Sequence, residues 1–67
     1  MLDADIKIIR QMEDARFGLD GTATYHIRVE FMVGNHGPFV ERVAKDGFTA
    51  ATRDVVLNTF AREVRTP

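Results

Sequence analysis

Apolar and polar positions alternate from Thr22 to Val33, with Ala23, Tyr25, Ile27, Val29, Phe31 and Val33 interleaving with Thr22, Thr24, His26, Arg28, Glu30 and Met32. Period two with β-branched and aromatic types on one side predicts a long strand that buries one face. Gly18-Leu19-Asp20-Gly21 precedes it, and its glycines supply the positive φ that a tight reversal needs. The upstream chain, Ile6 to Phe17, is therefore expected to return as an antiparallel partner. Folding about Leu19-Asp20 sets Met12 opposite Ile27, Ile8 opposite Phe31 and Ile6 opposite Val33, all on the apolar face. The same register sets Glu13 against His26 and Gln11 against Arg28 on the other face. A helix from Asp5 to Arg16 competes for this segment, because Ile6, Ile9 and Met12 also fit helical spacing and Gly18 suits a C-cap.

The run Gly34-Asn35-His36-Gly37-Pro38 is a turn, and Pro38, which lacks a ladder donor, marks the boundary of a third strand, Phe39 to Lys45. That strand carries Phe39, Glu41, Val43 and Lys45 on one side and Val40, Arg42 and Ala44 on the other, the mixed pattern of a sheet edge. After a turn at Lys45-Asp46-Gly47, Thr49 is placed to cap a helix from Ala50 to Val64. Val56, Leu57, Phe60, Ala61 and Val64 form its sheet-facing stripe, leaving Arg53, Asp54, Asn58, Arg62 and Glu63 to water. Arg62 and Arg65 suit the helix dipole, and Thr66-Pro67 ends the element. The expected fold is α+β: one small domain, residues 1–67, with a three-stranded antiparallel β-meander and one C-terminal α-helix packed on one face.

Element lengths carry this further. A twelve-residue strand extends about 40 Å and a fifteen-residue helix about 22 Å, so the helix cannot cover the whole ribbon. The half holding Ile6, Ile8, Val29, Phe31 and Val33 is the half it should cover. The distal half, about Glu13 to Tyr25, should project as a hairpin arm, and an isolated two-stranded ribbon is marginal in water.

Composition narrows the chemistry. The chain has 67 residues, nine Lys plus Arg against ten Asp plus Glu, and no Cys, Ser or Trp. Disulfides, thiolate metal sites and serine or cysteine nucleophiles are excluded by inventory. Near-neutral charge gives no bulk attraction to phosphate. The longest apolar runs, Phe31-Met32-Val33 and Val55-Val56-Leu57, are too short for a membrane span or secretory segment, so a cytoplasmic address without membrane attachment is expected. A core this small often depends on a partner.

No site for catalysis or for a cofactor emerges. His26 and His36 are the only histidines, and metal would need three or four convergent ligands. His26 is read instead as a solvent-side residue paired with Glu13, and His36 as a turn residue capping local backbone. The carboxylate pairs Glu13-Asp14 and Asp3/Asp5 lie on a polar face or at a terminus, where nothing raises a pKa for acid–base work. An enzyme is not expected. Two binding readings remain. Phe17, Leu19, Ala23 and Tyr25 on the arm, with Val40 and Arg42 along the edge, form a candidate protein-contact surface for copies of the chain or a larger assembly. Arg28, Arg42, Arg53 and Arg62 form an alternative nucleic-acid stripe, which requires the open sheet face and the helix edge to meet.

Val33-Gly34-Asn35-His36-Gly37-Pro38-Phe39, followed by Phe48-Thr49-Ala50 and an amphipathic C-terminal helix, resembles small uncharacterised proteins encoded by tailed phages and prophages. The resemblance covers roughly the last two thirds of the chain and transfers no catalytic residue. It implies a virion part, such as a connector, tail or decoration subunit, and for a phage-encoded chain a virion location.

Overall fold

The alternating segments fold as strands because each can turn one apolar row onto a helix and leave the other row in water. The computed structural model describes residues 1–66 and has strands β1 (Ile6–Phe17), β2 (Ala23–Val33) and β3 (His36–Ala44), then helix α1 (Ala50–Arg65). The sheet is antiparallel in the order β1-β2-β3, and α1 packs on one face, giving the βββα, α+β architecture. No helix forms over Asp5 to Arg16, where β1 stays paired to β2. Pro67 lies outside the described residues, and α1 ends with the Thr66 amide donating to the Arg62 carbonyl at 3.1 Å.

The β1–β2 register agrees with the expected one over its inner half only. Ile6 faces Val33 and Ile8 faces Phe31, but Met12 faces Arg28, Glu13 faces Ile27, Gln11 faces Val29 and Asp14 faces His26. Two local features explain the slip. The turn is closed by the Gly18 amide donating to the Thr22 carbonyl at 2.8 Å, with Gly21 at φ +84, so the loop takes three residues instead of two. An irregularity between Ile8 and Arg10 inserts Ile9 as an extra β1 residue and restores the inner register. Beyond Ile9, every β1 side chain stands on the face opposite to the one a regular strand would give it.

Strand β3 begins at His36, earlier than expected, and Pro38 lies inside it. Gly37 and Pro38 fall where the pairing steps from Val33↔His36 to Phe31↔Phe39, so the proline takes the place of no regular ladder donor. Gly37 has φ +125, and a Cβ there would stand 3.1 Å from the Phe31 carbonyl oxygen, so only glycine fits.

The core is Ile6, Val29, Phe31, Val33, Leu57 and Ala61, with Phe39 and Phe60 packed against it. The Phe31 and Phe60 rings meet edge to face at 5.4 Å, and Phe39 and Phe60 are 4.9 Å apart. Thr49 caps α1 reciprocally with Thr52: each residue's hydroxyl accepts from the other's amide, at 3.0 and 2.9 Å. Three helix residues assigned to water are half-buried instead. Asn58 accepts from the Asp3 amide at 2.9 Å and donates to the Met1 carbonyl at 2.8 Å, while Arg53 binds Asp54 at 2.9 Å. Arg62 and Glu63 are exposed as expected.

Phe31→Ala should destabilise the fold by about 3–5 kcal/mol, since its ring fills the space between sheet and helix. Val55→Ala on the exposed side of α1 should change stability by less than about 0.5 kcal/mol. Urea unfolding followed by far-ultraviolet circular dichroism checks both.

Candidate interaction surface

The reach of α1 is marked by its polar contacts. At its C-terminal end Arg65 binds Asp3 at 3.2 Å and also pairs with Asp5. At its N-terminal end Arg53 donates to Gln11 at 3.2 Å. The helix therefore runs alongside the chain from about Asp3 to Gln11 of β1, and among the described residues its polar contacts reach no further out. β3 stops where Ala44 faces His26, apart from the Lys45 amide donating to the Tyr25 carbonyl at 3.2 Å. Among the described residues, Ala15–Phe17 and Ala23–Tyr25 thus form a two-stranded arm with no third strand and no helix, and the molecule extends 41 Å along its longest axis.

The arm holds four of the six nominated protein-contact residues. Phe17 is 75% exposed, Tyr25 51%, Ala23 is exposed, and Leu19 stands free at the turn. Pairing of Phe17 with Ala23 and Ala15 with Tyr25 puts these side chains on the helix-side face, beyond the helix. Lys45 braces the base of the arm: Nζ lies 2.7 Å from Glu13 Oε1 and 5.7 Å from the centre of the Tyr25 ring. Beside it an open cleft of about 560 Å³ is lined by Ala23, Tyr25, Lys45 and Asp46. Val40 and Arg42 sit apart, opposite Glu30 and Arg28 on the open face, with Val40 half-buried and Arg42 exposed.

The arginines divide between two surfaces. Arg28 faces Arg42 on the open side and lies 3.7 Å from Glu30, while Arg53 and Arg62 stand on α1. Among the described residues they form no continuous stripe.

His26 departs most from its expected role. It is 7% exposed, not solvent-side, and its cross-strand partner is Asp14 in place of Glu13. Its Nε2 lies 3.4 Å from Asp14 Oδ2, and among the described residues it has no hydrogen-bond partner. Reading Gly21 as the left-handed third residue of the loop was the signal that could have found this pair. His36 is exposed, and its side chain caps no backbone group among the described residues. Among the described residues, no three His, Cys, Asp or Glu side chains converge as a metal would need, and no helix is long and apolar enough to cross a membrane. No protein family, curated protein or solved structure matches the chain.

The Asp14 carboxyl is held below the usual carboxylate value chiefly by the Ala15 amide, which donates to it at 2.9 Å, with smaller contributions from His26 and Arg42. A lowered carboxyl contributes stability that is present above its unfolded value of about 3.9 and is lost as pH falls through the folded value. His26→Ala should raise the Asp14 titration part of the way to the ordinary value, the Ala15 bond retaining the rest. Carbon-13 carboxyl titration by NMR checks this, and an unchanged midpoint contradicts a contribution from His26.

Proposed function

We propose that the chain is a non-enzymatic interaction module that assembles, with copies of itself or within a larger protein assembly, through the hairpin arm and the β3 edge. The observation that carries this reading is the exposure of Phe17, Leu19 and Tyr25 on a ribbon the chain's own helix does not reach. Covering an aromatic side chain of this kind contributes about 1.5–3 kcal/mol, a large fraction of what a small single core supplies. Val40 and Arg42 on the outer strand extend the surface along the sheet. The resemblance of the Val33 to Phe39 stretch to tailed-phage proteins agrees with a virion role as connector, tail or decoration subunit. Such subunits work by repeated protein contact.

Tyr25→Asp should abolish assembly and leave the helical circular dichroism signal in place. The measurement is solution mass by light scattering for both proteins over about a hundredfold concentration range. A wild-type mass that grows with concentration, and a variant that stays monomeric, agree with the arm as the contact. An unchanged mass for the variant sinks it.

A further inference from the structure

We infer that β1 is the seam of a two-fold homodimer in which two copies pair edge to edge, antiparallel, about Met12. This rests on the assembly reading above but assigns the contact to a different edge. β1 is the outer strand opposite β3, and among the described residues its twelve residues have no pairing partner on their outer side.

The ladder decides which backbone groups are available. The Gly18 amide bonds the Thr22 carbonyl, and from there Arg16 faces Thr24, Asp14 faces His26 and Met12 faces Arg28. Because antiparallel partners alternate, those residues spend their backbone groups on β2, while Gln11, Glu13, Ala15 and Phe17 turn theirs outward. A two-fold ladder must match outward groups with outward groups, so its axis passes beside a residue and not between two. Four centres lie in the middle of the strand. Centring on Glu13 sets Glu13 against itself and Arg10 against Arg16, and centring on Asp14 sets that carboxylate against itself. Centring on Gln11 brings Asp14 opposite Lys7 past the inserted Ile9, but it sets the Glu13 carboxylate against the apolar Ile8 and leaves Phe17 beyond the end of the partner's strand.

Centring on Met12 sets Arg10 of each copy opposite Asp14 of the other, twice, and Gln11 opposite Glu13 in hydrogen-bonded rings. Arg10, Met12 and Asp14 share the open face, so charge and side-chain direction agree. Met12, 42% exposed, meets its own copy. Past the inserted Ile9 the pairing steps by one, as it does against β2, and brings Ala15 opposite Ile8 and Phe17 opposite Ile6 on the helix-side face. The exposed ring of Phe17 is then covered by the partner's core end. The one like-charge pair, Arg16 with Lys7, lies where both side chains are solvent-exposed. Such an interface is isologous and closes at two subunits.

The chain has no cysteine, so a single introduced thiol reports one contact. At the centre of this ladder the two Met12 Cα atoms stand about 4.5 Å apart, within disulfide range. Met12→Cys is therefore expected to become predominantly a disulfide dimer in a glutathione redox buffer, while Val55→Cys, exposed on α1, stays monomeric. Arg10→Asp should raise the dimer dissociation constant about tenfold, since both cross-strand charge pairs are lost, and adding Asp14→Arg should restore it. Circular dichroism confirms that each variant is folded. An oligomer by light scattering in which Met12→Cys cross-links no more than Val55→Cys overturns the β1 seam and leaves the arm reading standing. A chain that is monomeric throughout, with no cross-linking, overturns the β1 seam and also self-assembly through the arm.

Discussion

A strand gains more than twice as much length per residue as a helix, and this difference in rise organises the whole molecule. Twelve residues of β1 extend about 40 Å, while the sixteen of α1 extend about 24 Å, so one helix cannot roof one hairpin. The fold resolves the mismatch by concentrating its apolar side chains at one end. Phe31, Leu57, Val29 and Val33 are fully buried where the helix lies, and the other end of the ribbon is held by main-chain pairing and a few polar side-chain contacts such as Lys45 with Glu13. The division into a core and an arm follows from element lengths, and the assembly proposal follows from the apolar side chains left on the arm.

The second organising feature is a compensated register. The three-residue loop at Gly21 displaces β1 by one position, and the inserted Ile9 takes the displacement back before the strand reaches the core. Between the two, Gln11 and Glu13 face the helix side, where Arg53 and Lys45 meet them. Met12 and Asp14 face the open side. That exchange gives the base of the arm polar contacts instead of an apolar cover, and it places Asp14 against the buried His26.

The strands, helix, cap and apolar stripe were readable because each depends on local spacing: period two in Thr22 to Val33, period near 3.6 in Val56 to Val64, and Thr49 ahead of the helix. The inner pairs Ile6–Val33 and Ile8–Phe31 were also readable, although from a loop one residue too short, because the loop and bulge offsets cancel there. The Asp14–His26 pair was hidden because the loop offset alone acts between those residues and the turn, and the bulge that cancels it lies beyond them at Ile9. Asn58 looked like a solvent residue because its partners, Met1 and Asp3, lie at the far end of the chain, beyond any local pattern. The exposure of Phe17 and Tyr25 followed from counting residues against rise, a constraint that spacing alone carries.

An arm that lacks its own cover should be held firmly only when another molecule covers it. Amide hydrogen exchange along β2, measured as protein concentration rises, tests this most directly. The account predicts that Ala23 to Tyr25 exchange fast in dilute solution and slow with concentration, while Val29 to Val33 stay protected throughout. Arm amides protected to the same degree as Val29 to Val33 in a dilute monomer would contradict it.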